Sequence, residues 1–328
     1  MKNEGPYVLE WIAHHLAIGF DNIMIFSADC DDQTDRMLDR LEEMRLIKHC
    51  PNPKRIFKQL GVWHVAALRY ATMFNMYTDS DWVLAIDVDE FLEITPGNHH
   101  LNDLFEQSPA FDLMSFTVVG YNSSNIKHIG DGSVQGQFFQ GQMDINDLNN
   151  PAGKKSAAVK TLGRNGIPGA MFRNHRPKID NFSQTDQVWL NGAGNAMPPE
   201  FTDRKVNLHP AENSIGLAHV NHHSLRSMES FMVKVDRGDA VNEAKMGLDD
   251  ARIANVVTYW NKRNAGLDVA KRIPEKPADY DAVYKKLKSD PALSAMHETA
   301  LNVHSQKIER ILTTEGGRKL AEIIGYFD

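Results

Sequence analysis

The chain has 328 residues, enough for a sizeable core in one large α/β domain or two ordinary ones. Hydrophobic residues make up 42% and charged residues 24%, which excludes disordered, collagen-like and coiled-coil classes. The net charge of −7 argues against a broad basic face for nucleic acid, and no apolar run reaches the roughly 20 residues of a transmembrane segment.

From the N-terminus, Met1-Lys2-Asn3-Glu4-Gly5-Pro6 lacks the apolar segment of a signal peptide. Cys30 and Cys50 form neither a disulfide framework nor a zinc cluster, so a reduced, cytoplasmic setting is the simplest expectation. Pro6 suits a first helical turn, and Leu9, Ile12, Ala13 and Leu16 predict a helix over 6–18. Ile23 to Phe26 predicts a buried strand that stops at Ser27-Ala28-Asp29. Asp31, Asp32 and Asp35 supply caps for a helix that turns Met37, Leu38, Leu41 and Leu46 inward. A third amphipathic helix carries Leu60, Trp63, His64, Ala67, Tyr70, Ala71 and Phe74. Trp82 to Ile86 is a buried strand running into Asp87-Val88-Asp89-Glu90-Phe91, and Leu113 to Val119 is another.

This alternation predicts an α/β fold, with a mostly parallel sheet flanked by helices and ligands beyond the carboxyl ends of its strands. Residues 121–155 read as irregular, 156–174 and 216–223 as short strands, and 226 onward as helical, with Ile253, Val256, Val257 and Trp260 at helical spacing and a helical tail over 280–326. The expected division is a domain over 1–240 and a helical extension over 241–328, the latter an acceptor platform, a homodimer contact or plain core packing.

The sharpest chemical signal is Asp87-Val88-Asp89. Residues i and i+2 of a strand share a side, so two carboxylates leaving a sheet together suit Mn2+ or Mg2+, which would neutralise a diphosphate. Phosphatases that use Asp-x-Asp open their fold with it, whereas here about 80 residues precede the motif. An EF-hand is excluded by the missing glycine and terminal glutamate. Within the cluster Asp29, Asp31, Asp32 and Asp35, one carboxylate, with Asp29 the choice, would accept hydrogen bonds from a base or ribose, while Asp32 and Asp35 suit capping. Lys154, Lys155, Lys160, Arg164, Arg173, Arg176 and Lys178 form a basic stretch in an acidic chain, and Lys160 and Arg176 are candidates to face phosphates. Among His209, His219, His222 and His223, one imidazole would complete a metal shell or contact a phosphate. No P-loop, Gly-x-Ser-x-Gly elbow or dinucleotide fingerprint occurs, and neither cysteine has a recognisable histidine partner.

Several of these motifs together resemble the bacterial glycosyltransferase family 2-like proteins. They are Lys2-Asn3-Glu4, Glu10-Trp11-Ile12, His14-His15, the run from Gly19-Phe20-Asp21 into the strand at Ile23, Asp87-Val88-Asp89-Glu90-Phe91, His219 through Ser227, and Phe231, Lys234 and Arg237-Gly238. The likeness covers about residues 1–240. It implies a GT-A-like (Rossmann-like) fold, with a strand ahead of Lys2 that would lie upstream of Met1. It also implies a nucleoside-diphosphate sugar donor, a saccharide or other hydroxyl acceptor, a divalent metal and inverting transfer. Carried over, Asp87 and Asp89 become the metal and diphosphate site, Asn3 and Glu4 lie beside the nucleotide, and His222 is the late histidine near the phosphates. Asp186 is the chosen general base, since it follows the basic stretch and precedes Trp189 and Gly192-Ala193-Gly194, with Asp203 and Glu212 as competitors. Two other classes fit the same residues: a metal-dependent phosphohydrolase or nucleotidyltransferase, and a non-catalytic nucleotide-sugar-binding relative.

Overall fold

In the computed structural model, residues 1–57, 62–130, 133–140, 156–203, 208–238, 247–265 and 273–328 are described. Helix α1 (Gly5–Ala17) opens with Pro6 in its first turn and buries Val8, Leu9, Ile12 and Ala13. Strand β1 (Met24–Ser27) leads to α2 (Thr34–Glu43), which turns Met37, Leu38 and Leu41 into the same core. Asp32 ties the two helices together: its carboxylate accepts from Thr34 N at 3.0 Å in α2 and from Gly5 N at 2.9 Å in α1. Strand β2 (Lys48–Pro51) pairs with β1 in parallel. The third expected helix is α3 (Trp63–Ala71), and Leu60 lies outside the described residues. Next come α4 (Asn75–Thr78), β3 (Trp82–Leu84), β4 (Glu90–Ile94), α5 (Leu101–Gln107), β5 (Leu113–Gly120), α6 (Val134–Gln137) and β6 (Ser156–Arg164). They are followed by β7 (Trp189–Asn191), α7 (Pro199–Thr202), β8 (Leu208–Pro210), β9 (Ala218–His222) and α8 (Met228–Arg237). The chain ends with α9 (Asp250–Arg263), α10 (Tyr280–Ser289), α11 (Pro291–Thr313) and α12 (Glu315–Ile323).

The larger sheet is mixed rather than mostly parallel. Strand β6 runs antiparallel to β3, β5 and β8, and β4 antiparallel to β9, while β5 is parallel to β7 and β9. Strand β5 is the branch point. Its first residues pair with β6 and β7, and Val118 to Gly120 pair with β9. Apolar runs identify buried strands, but a strand covered on both faces reads alike in either direction. The expectation of parallel pairing therefore came from the β–α alternation, and β3 and β4 break that alternation by following each other with only a turn between.

The C-terminal helices share cores with the rest of the chain. Tyr280, Leu287 and Leu293 pack into the α1–α2 core, and Ile308, Ile311 and Leu320 pack with Phe231, Val256 and Trp260. Helix α11 lies so close to the start of α1 that a Cβ on Gly5 would stand 2.6 Å from Ala300 Cβ. Among the described residues, no helix is long and apolar enough to cross a membrane.

Candidate active site

Strand β3 stops at Leu84, and the aspartates occupy a turn closed by a Glu90 N to Asp87 O bond of 3.0 Å. The indole of Trp11 on α1 donates to Asp87 O at 3.0 Å and to Glu90 O at 2.9 Å, fixing both ends of that turn. Because the backbone turns, Asp87 and Asp89 do not share a side as strand residues would, and they meet different partners.

Asp87 faces β6. The wholly buried Lys160 reaches Asp87 Oδ2 at 2.7 Å, Glu90 Oε2 at 2.8 Å and Asn174 Oδ1 at 2.9 Å. Asn174 also donates to Asp87 Oδ2 at 3.4 Å, and His64 Nε2 lies 3.3 Å from Asp87 Oδ1. Burial alone would raise the Asp87 carboxyl, but the Lys160 ammonium and the His64 ring outweigh it and hold it far below the usual range. Burial pushes the Glu90 carboxyl up against the pull of Lys160.

Asp89 faces β9 and α8. Lys234 Nζ lies 3.0 Å from Asp89 Oδ2 and donates to Ser224 O at 2.9 Å, and His222 Nε2 stands 3.6 Å from the same Asp89 oxygen. Burial opposes ionisation of Asp89, but Lys234 and then His222 dominate and keep it a carboxylate. Asp89 Oδ2 and His222 Nε2 converge as a carboxylate–imidazole pair. A hard divalent cation commonly takes one or two protein carboxylates and completes its shell with substrate phosphate and water. The Asp89 oxygen that faces His222 is the one held by Lys234. Asp87, taken up by Lys160, stands apart from this pair. No group of three or more His, Cys, Asp or Glu converges among the described residues.

Beside Asp89 opens a small recess whose charged lining is Glu4, Asp89, Arg226, Lys234 and Arg237. Glu4 takes Arg226 Nη1 at 2.7 Å and Arg237 Nη1 at 2.5 Å. Burial raises the Glu4 carboxyl, and the two guanidiniums outweigh that and keep it ionised. Arg226 adopts φ 57°, in the left-handed region, and lies over the Tyr7 ring at 3.7 Å. Asn3, also left-handed at φ 54°, accepts from Asp31 N at 2.9 Å and so anchors the loop after β1 to this wall.

The structure thus brings Asn3, Glu4, Asp87, Asp89, Lys160 and His222 to one region. Asp29 is exposed at the end of β1 with φ 54°. Asp31 pairs with Lys307 of α11, Asp32 accepts from Thr34 N and Gly5 N, and Asp35 accepts from Arg36 N at 3.0 Å, so the N-cap of α2 is Gln33 and none of the expected aspartates. Arg176 turns away from Asp87. It donates to the carbonyls of Phe201 and Thr202, lies over the Trp189 and Phe201 rings, and is pushed down to about 10 by burial. Its visible role is to fix the loop that carries Asn174. Asp186 is exposed, and no contact among the described residues joins it to the Asp87 or Asp89 groups. Asp203 accepts from Ser183 N at 3.0 Å, and Glu212 sits in the turn after β8. Arg164 pairs with Asp112 at 3.4 Å, Lys178 pairs with Asp180 at 2.9 Å and Arg173 is exposed, while Lys154 and Lys155 lie outside the described residues.

Three residues at the site escaped the sequence reading. His64 sits at helical spacing and reads as core, while Asn174 and His175 lie between two arginines and belong to no motif. The only available signal was a short polar Asn-His pair within the basic stretch.

The profile of glycosyltransferase family 92 matches residues 3–154, a span that includes the Asn3–Glu4 segment and the Asp87–Glu90 turn. A glycosyltransferase family 92 protein of Oryza sativa subsp. japonica is 28% identical over 105 residues, which is 32% of this chain and 17% of that protein's length. The motifs suggested the family 2-like proteins, whereas the match is to a different glycosyltransferase family. Over residues 3–154 the chain is similar to glycosyltransferase family 92.

Proposed function

We propose that this chain transfers a sugar from a nucleoside-diphosphate sugar to a hydroxyl acceptor, by a single displacement that inverts the anomeric carbon. The observation that carries the reading is the convergence of Arg226, Lys234 and Arg237 with Glu4 and Asp89 around one recess. Three fixed cations suit a diphosphate, and the carboxylates suit sugar hydroxyls. The similarity to glycosyltransferase family 92 over residues 3–154, which contain Glu4 and Asp89 of this recess, supports it.

Arg226, Lys234 and Arg237 lie against the leaving diphosphate and counter its charge as the bond to the sugar breaks. Asn3, Glu4 and Asp29 stand on the nucleoside side. Lys160 holds Asp87 ionised and in place to accept a donor hydroxyl. Asp89 and His222 are the residues that would hold Mn2+ or Mg2+, which would supply positive charge at the diphosphate. The test is incubation with UDP-, GDP-, CDP- and dTDP-linked hexoses, with Mn2+ and without it. Release of one nucleoside diphosphate is expected, whereas release of inorganic phosphate or a nucleoside monophosphate overturns the reading in favour of phosphohydrolase chemistry.

A further inference from the structure

We propose that Nε2 of His175 is the general base that takes the proton from the acceptor hydroxyl. The assignment rests on the glycosyl-transfer reading above.

Three features of the structure point to this nitrogen. The first is position. His175 follows Asn174, whose amide bonds both Asp87 and Lys160, so the backbone here is held at the wall of the Asp87 group. The second is the tautomer. His175 Nδ1 lies 3.2 Å from the carbonyl oxygen of Val159, which can only accept, so Nδ1 carries the proton and the neutral ring keeps its lone pair on Nε2. The third is access. His175 Nε2 has no hydrogen-bond partner among the described residues, yet it is not one of the enclosed, unpartnered atoms.

The charged and titratable groups that act on this ring are Lys160 on β6, Asp87 in the turn and His222 on β9. Burial, then Lys160, lowers the His175 pKa and keeps the ring neutral and ready to accept a proton at physiological pH.

The other bases nearby are committed. His64 turns Nε2 to Asp87, and its Nδ1 is enclosed without a partner. His222 turns to Asp89, and both nitrogens of His223 are sealed beside the Tyr121 ring. Asp87 and Asp89 are each paired with a lysine, and Glu90 lies buried against Lys160.

In the step, the acceptor O–H bond breaks and its proton moves to His175 Nε2. The acceptor oxygen forms a bond to the anomeric carbon. The bond from that carbon to the phosphate oxygen breaks, and its electron pair leaves with the nucleoside diphosphate. The imidazolium then returns its proton to solvent.

His175→Asn is the informative variant, because its amide can still donate to Val159 O while the basic nitrogen is gone. With the donor that the wild-type protein turns over, kcat is expected to fall by about 10²- to 10⁴-fold, with donor affinity unchanged within a few-fold and the acid limb of the rate profile lost. Turnover within a few-fold of wild type, or loss of donor affinity equal to the loss of kcat, overturns the assignment and leaves the glycosyl-transfer reading standing. Wild-type protein that releases no nucleoside diphosphate from any of the UDP-, GDP-, CDP- or dTDP-linked hexoses overturns both. A nitrogen-15 NMR measurement on the wild-type protein is independent of turnover and of how the variant folds: the Nδ1–H tautomer is expected, and an Nε2–H tautomer overturns the assignment.

Discussion

Lys160 and Asp87, 73 residues apart in the chain, meet at 2.7 Å with the lysine side chain wholly buried. One ammonium serves two carboxylates there, since Glu90 lies 2.8 Å from the same nitrogen. Lys160→Met would leave Asp87 and Glu90 without their cation, and a buried ion pair broken from one side costs about 3–5 kcal/mol. The denaturation midpoint in urea is expected to fall accordingly. A loss below about 1 kcal/mol would place the site in contact with much more water than the structure indicates.

Gly5 marks the tightest approach of α11 to α1. Gly5→Ala sets a methyl 2.6 Å from Ala300 Cβ, and overpacking of this kind costs about 1–3 kcal/mol. Pairing it with Ala300→Gly should recover part of that loss. The check is a double-mutant comparison of thermal midpoints, and strictly additive losses would count against direct contact.

Stability should depend on pH through two opposed buried sets. Burial raises Glu10 from 4.5 to about 7, against bonds from Val134 N and Gln135 N. The folded protein therefore holds this proton more tightly, so the stabilisation is full below pH 4.5 and is lost as pH rises through about 7. Burial lowers His14, His209 and His304 from 6.5 to about 4, so the unfolded chain takes up those protons first and stability is lost as pH falls below 6.5. Three histidines outweigh one glutamate in acid. Glu10→Gln is expected to gain on the wild type between pH 5 and pH 8 by about 3 kcal/mol, read by calorimetry, and parallel curves would contradict it.

Asp89→Asn tests the metal-linked part of the recess. Ligand at about 100 times its dissociation constant adds roughly 2.7 kcal/mol to stability. The wild-type protein should show a thermal shift with one of UDP, GDP, CDP or dTDP that grows with Mn2+. In Asp89→Asn the Mn2+ increment should vanish, and an unchanged increment would move the cation elsewhere.

The elements were more legible than their arrangement. The spacing of Leu9, Ile12 and Ala13 marked α1, and the apolar run at Trp82 marked β3, because periodicity encodes which face is buried. The direction of β6 and β9 was not legible, because pairing partners lie far apart in sequence. The Asp87-Val88-Asp89 motif stood out, yet the divergence of its carboxylates depends on a turn that Trp11 holds from another element. Lys160 and Arg176 stand in one basic stretch that suggests phosphate contacts, yet Lys160 is wholly buried against Asp87 and Glu90, and the aromatic rings of Trp189 and Phe201 claim Arg176. Charge alone does not distinguish a cation aimed at a ligand from one aimed at carbonyl groups.

The bond between Glu4 and Arg226 spans 222 residues. Closing a contact of such separation costs loop entropy. One wall of the recess comes from the first turn of the chain and the other from α8, so no stretch of α1, β1 and α2 by itself can form it. Nucleotide affinity would therefore report on completion of folding: a chain caught part-way, or one opened between α1 and α8, would present separated charges and no binding site. Ligand present during refolding would then favour the joined ends over the separated ones.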